Sequence, residues 1–127
     1  MTRNPVTSDK LAAPVGPFSL ATRGGDALFV SGQVAQDPAT GALIDGDVAR
    51  QTDQALRNLA AVLEAAGKGL DDVVRVGVYL TDMADFAAMN EVYRTHFQAP
   101  YPARTAIGVA ALPLGAAVEI DAIAVWP

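Results

Sequence analysis

No cysteine occurs anywhere in the chain. Disulfides, thiolate nucleophiles and cysteine-ligated zinc are therefore excluded, and the absence fits a reducing cytoplasm, the compartment expected for this protein. Histidine is nearly as scarce. The single His96 cannot supply a multi-histidine metal centre and makes a Ser-His-Asp triad a poor fit, so no metal site is expected. Long apolar runs are missing too. The longest tract, Ala106 to Val118, falls short of the roughly 20 residues of a membrane span and is broken by Gly108, Pro113 and Gly115, so no membrane association is expected. Met1-Thr2-Arg3-Asn4-Pro5 leads into no apolar segment of the signal-peptide type.

Positive charge is also sparse. Nine Lys and Arg face fourteen Asp and Glu, for a formal net charge of −5. The cations are scattered singly, without the basic stripe that neutralises nucleic-acid phosphates, so no nucleic-acid partner is expected. An acidic surface does not draw anions from a distance, and a small anionic ligand would need one well-placed local cation. Neither a P-loop nor Gly-x-Gly-x-x-Gly is present to cradle a nucleotide cofactor.

The remaining pattern describes one domain over residues 1–127. Phe18–Arg23 and Ala27–Val30 are short β-prone runs around Gly24-Gly25-Asp26, a hairpin signal; Ser31-Gly32-Gln33 closes the second. A first helix is predicted from Val48, capped by Asp47 and stopped by Gly67. Its apolar stripe is Thr52, Ala55, Leu56, Leu59, Leu63 and Ala66. Val73–Leu80 reads as a buried strand. A second helix follows, with Asp82 as cap, Asp85 three residues on, and Phe86, Met89, Tyr93 and Phe97 as its apolar face. Arg104–Val109 and Val118–Val125 complete a β-β-α-β-α-β-β order. This implies an α+β fold, a mixed sheet with both helices on one face. The other face would be open in a monomer, and an open apolar face predicts self-association.

Three polar residues sit in apolar surroundings. Arg104 is the only formally charged residue between Thr95 and Val118. Its planar fork matches a carboxylate; a structural salt bridge or a snorkelling edge arginine is the other reading of the pattern. Glu119 interrupts an apolar strand, sharing a face with Asp121, Ile123 and Val125. It is either a carboxyl of raised pKa that exchanges protons with water, a partner for Arg104 on the adjacent strand, or an exposed edge residue. Asn90 lies on the apolar side of the second helix, where a buried amide must find backbone, water or ligand. Ser31 is a strand-end serine with no Gly-x-Ser-x-Gly around it.

These residues fall in a pattern that resembles the Rid family of reactive-intermediate (imine/enamine) deaminases over nearly the whole chain. Gly16-Pro17-Phe18-Ser19, Val30-Ser31-Gly32-Gln33, and Asn90 followed by Tyr93 carry it, with Pro102-Ala103-Arg104, Leu112-Pro113, and Val118-Glu119-Ile120 with Ala122-Ile123-Ala124. The resemblance implies a chorismate-mutase-like fold, a homotrimer with sites between subunits, and cofactor-free hydrolysis of small 2-imino acids to 2-keto acids and ammonia. By the same resemblance, Arg104 holds the substrate carboxylate and Glu119 orients or activates water. Phe18, Ser31 and Asn90 line the pocket, and the backbone at Arg104 and Ala106 contributes. Two positions depart from the family's pattern: Phe18 stands where tyrosine is common and Ala106 where cysteine is frequent. A pathway-specific deaminase of a larger enamine, or a non-catalytic binder of small carboxylates, are the alternatives within the resemblance. Ribonuclease activity, also attached to members of the family, is disfavoured by the acidic balance and the single histidine.

Overall fold

The computed structural model describes residues 2–127. Its organising element is the helix α1, Val48–Ala65. The Asp47 side chain accepts a hydrogen bond from the Arg50 N–H at 3.0 Å, satisfying one of the orphan donors of the first turn. At the other end Gly67, with φ 74°, donates to the Glu64 carbonyl, and Lys68 donates to that of Leu63. This is a Schellman closure, and the left-handed backbone it needs is easiest for glycine. Between the caps, Thr52, Ala55, Leu56, Leu59, Val62 and Leu63 are buried. The buried Thr52 hydroxyl donates to the Val48 carbonyl one turn back, so it adds no unsatisfied group.

That face packs on one side of a six-stranded sheet of order β1-β2-β3-β6-β4-β5. The strands are β1 Asn4–Val6, β2 Ala21–Gly24, β3 Ala27–Gln33, β4 Val73–Leu80, β5 Ala103–Gly108 and β6 Val118–Val125. All neighbours are antiparallel except β4 and β5. That parallel pair is joined across the helix α2, Phe86–His96, as a parallel connection requires. Leu28, Val30, Val76, Val78, Leu80, Ile120, Ala122 and Ala124 meet the helices and are buried, together with Met89 and Tyr93 of α2 and Phe97 at its C-cap. The fold is α+β and chorismate-mutase-like, with both helices on one face.

Several sequence expectations need correcting. The strand expected from Phe18 begins only at Ala21, because Ser19 and Leu20 give their carbonyls to the Ser31 hydroxyl and N–H instead of to a ladder. β3 does not end at Val30: it continues to Gln33 across a register shift. The short β1, which sequence patterning missed, adds an edge strand to β2. Asp82 caps a 3₁₀ turn over Met83–Asp85, accepting from the Ala84 N–H, and α2 itself starts at Phe86 without a side-chain cap.

The opposite sheet face carries no helix. Phe29 and Ile107 are exposed on it, beside partly exposed Ile123 and Val125. Tyr79 donates to Asp121 across β4 and β6 at 3.0 Å. The Asp121 carboxylate lies over Gly77, whose missing side chain makes the room. No helix of the described residues is long and apolar enough to cross a membrane.

Candidate functional site

Arg104 stands on β5 opposite Val76 of β4, and Ala106 opposite Val78. Since Val76 and Val78 point to the helices, strand alternation sends Arg104 and Ala106 to that side as well. There the Arg104 Nη1 donates to Asn90 Oδ1 on α2 at 2.7 Å. The guanidinium lies 4.7 Å from the centroid of the Tyr93 ring and 5.6 Å from that of Phe86. Cation–π contact and one neutral amide hold it in place without neutralising it. Among the described residues, no carboxylate lies within ion-pair distance of Arg104. The structural salt bridge that sequence left open is therefore not formed within the chain.

Tyr93, stacked on Phe97 at 4.6 Å, adds a feature invisible in the sequence: its hydroxyl is buried with no hydrogen-bond partner. Burial pushes its pKa up, so it stays a neutral donor, with the Arg104 charge acting against the shift. An orphaned buried donor calls for a partner from outside the chain. Asn90, Tyr93, Arg94, Tyr101, Pro102 and Arg104 line a cleft of about 400 Å³. Arg104, bonded to one neutral amide and to no carboxylate, keeps charge and donors available to an anion in this cleft.

Glu119 lies elsewhere. It pairs with Tyr79 in the β4–β6 ladder and projects from the uncovered face, whereas Arg104 faces the helices. With β4 between β5 and β6, Glu119 is not a partner for Arg104 on an adjacent strand. Its carboxyl rests over Gly32: a Cβ there would stand 2.6 Å from Glu119 Oε2, so a side chain at this position would displace the carboxyl. Burial pushes the Glu119 pKa up, and the neighbouring Asp121 charge adds to the shift. A carboxyl so placed holds or releases a proton nearer to neutrality than an exposed one does. Gln51, also missed by sequence patterning, fixes the start of its strand. From α1 its Oε1 accepts the Ala117 N–H at 2.8 Å, two residues before Glu119.

Glu119 and Phe18 line one cavity of about 440 Å³. Ser31 does not line it. The Ser31 hydroxyl donates to the Ser19 carbonyl at 2.7 Å and so anchors the segment that carries Phe18. Ala106 is half-buried against the core and lines neither cavity. The expected residues thus divide into two groups, Arg104 with Asn90 and Glu119 with Phe18, on opposite faces of one sheet.

A mixed sheet with two helices on one face, an arginine without an ion pair at one edge and a carboxyl of raised pKa on the bare face define a chorismate-mutase-like α+β protein. The family model described as Endoribonuclease L-PSP matches residues 8–126. A RutC family protein of Pyrococcus horikoshii is 48% identical over 119 residues, which cover 94% of each chain. The 2-iminobutanoate/2-iminopropanoate deaminase of Mus musculus is 46% identical over 123 residues, 97% of this chain and 91% of that one. The crystal structure of RidA from an Antarctic Psychrobacter species matches with a TM-score of 0.93 at 44% identity, over 98% of this chain and 100% of that one. The chain belongs to the Rid family.

Proposed function

We propose that the protein hydrolyses small 2-imino acids to 2-keto acids and ammonia, in sites each built from two copies of the chain. The observation that carries this reading is the uncommitted Arg104 guanidinium, held by Asn90 and two aromatic rings beside an orphaned Tyr93 hydroxyl. The mouse relative's name as a 2-iminobutanoate/2-iminopropanoate deaminase supports the same chemistry.

An iminium carbon is already electrophilic, so catalysis reduces to orientation, a water and proton transfer. Arg104 takes the substrate carboxylate bidentately. Glu119 removes a proton from water as its oxygen bonds to C2, and the C=N π pair moves to nitrogen. The resulting carbinolamine passes a proton from oxygen to nitrogen, its C–N bond breaks, ammonia leaves as the C2 carbonyl forms, and Glu119 hands the proton it took from water to the departing ammonia. Iminium and water become keto acid and ammonium, Glu119 is again a carboxylate, and no redox change occurs.

Arg104 and Glu119 on opposite sheet faces favour a second copy as the supplier of one of them. The exposed Phe29 and Ile107 give the bare face an apolar reason to be covered. A contact that joins the Arg104 edge of one copy to the Glu119 face of the next is head-to-tail, and such contacts form a ring when the rotation closes. A homotrimer, the assembly that the family resemblance implies, is the ring proposed.

The test is imine hydrolysis, with imines generated in place by an amino-acid oxidase and the residual imine trapped. Arg104→Lys is expected to lose ~10-fold or more in kcat/KM, because a point charge does not reproduce the bidentate fork. Wild type no faster than buffer would overturn the reading.

A further inference from the structure

The cavity that holds Glu119 has a composition its proposed chemistry does not require. Its wall includes Leu11, Pro14, Val15, Phe18, Leu20 and Leu114, and no lysine or arginine lines it. The polar neighbours are already committed: Gln33 Nε2 donates to the Ser31 carbonyl, Gln36 Nε2 to that of Gly41, and Asn58 Nδ2 to those of Val34 and Gln36. These side-chain amides are therefore taken, and no side-chain cation is there for a carboxylate. The wall suits an apolar group, and the volume of about 440 Å³ lies in the range of ~300–1,000 Å³ that takes ligands well beyond three carbons.

Leu114 gives a second, independent observation. It is the one non-glycine among the described residues with a left-handed backbone, φ 61° and ψ 14°, inside the turn Pro113–Gly115. For an L-residue with a bulky side chain this conformation is unfavourable, and it persists where its surroundings or its task demand it. Leu114 is 57% exposed, so core packing does not demand it. Its large apolar side chain lines the cavity together with Phe18, itself 53% exposed.

We propose that this apolar lobe receives the side chain of the 2-imino acid, with Leu114 as a specificity-determining wall. The protein then prefers branched aliphatic imino acids to 2-iminopropanoate. The inference rests on the proposed deaminase reading. The substrate's carboxylate lies toward Arg104, C2 lies at Glu119, and the alkyl group fills the lobe beyond.

The deciding experiment compares imines generated from leucine and from alanine, with wild type and Leu114→Gly. Glycine suits the φ of this position, so the variant is expected to fold. Wild type should show kcat/KM for the leucine-derived imine ~10-fold or more above that for the alanine-derived one, and Leu114→Gly should narrow the ratio to about twofold. Equal values in wild type, or a ratio unmoved by the variant, would overturn the lobe while leaving the deaminase reading intact. Calorimetry with 4-methyl-2-oxopentanoate and pyruvate separates the converse case. If neither imine is turned over, tighter binding of the larger keto acid that disappears in Leu114→Gly upholds the lobe and removes the deaminase. Equal binding of the two keto acids, or none, removes the lobe as well.

Discussion

At the scale of single residues, the proposed chemistry rests on two side chains held out of their ordinary states. Arg104 is a cation without an anion, and Glu119 a carboxyl raised by burial, with Asp121 adding to the shift. The second has a consequence for stability. A carboxyl that binds its proton more tightly when folded costs nothing below the ordinary glutamate range, where both states are protonated. As pH rises through that range toward the raised folded value, the unfolded chain ionises first and stability is lost; above the folded value the loss is constant. Glu119→Gln removes the ionisation. Its Tm should therefore exceed that of wild type at neutral pH, and the gap should shrink toward zero at about pH 4. Thermal melts of both proteins across that window check the sign, and a gap independent of pH would count against a raised Glu119. The same substitution should abolish most imine hydrolysis at neutral pH, so stability and activity move in opposite directions at this position.

At the scale of elements, local chemistry was readable and pairing between distant segments was not. Asp47 and Gly67 mark the ends of α1 because each acts within its own turn, and the sequence signal for a cap is local as well. The strands Val73–Leu80 and Val118–Val125 are also where patterning put them, since both alternate or run apolar against a helix-covered face. β1 and the far end of β3 escaped notice because their partners lie many residues away and a register shift breaks the period. The site divides in the same way. The isolation of Arg104, Glu119 and Asn90 among apolar neighbours is a sequence property. The orphaned Tyr93 hydroxyl, the Gln51 bond to Ala117 and the left-handed Leu114 depend on burial and backbone angles that no pattern of residue types carries. The cap at Gly67 gives a clean test of the local side. A Cβ there meets nothing within 4 Å, so Gly67→Ala should destabilise by the backbone cost alone, ~1–2 kcal/mol in denaturant melts. Imine hydrolysis at a temperature where both proteins are folded should be unchanged.

At the scale of the whole molecule, the division of Arg104 and Glu119 between two sheet faces turns a question about catalysis into one about assembly. If each site takes its arginine from one copy and its glutamate from the next, Arg104→Ala and Glu119→Gln damage different halves of every site. A ring mixed from the two variants then contains some interfaces where an intact arginine meets an intact glutamate. Random mixing in equal amounts makes about one interface in four intact in a head-to-tail ring. Each variant alone should be inactive, and the pair, unfolded together and refolded, should recover about a quarter of the wild-type rate per chain. A site contained within one chain predicts no recovery at all, because every chain carries one lesion. Light scattering on the same samples supplies the control. A trimer mass with recovered activity supports the shared site, whereas a monomer mass would leave Arg104 and Glu119 on opposite faces with nothing to bring them together, and the proposed mechanism would fall with it.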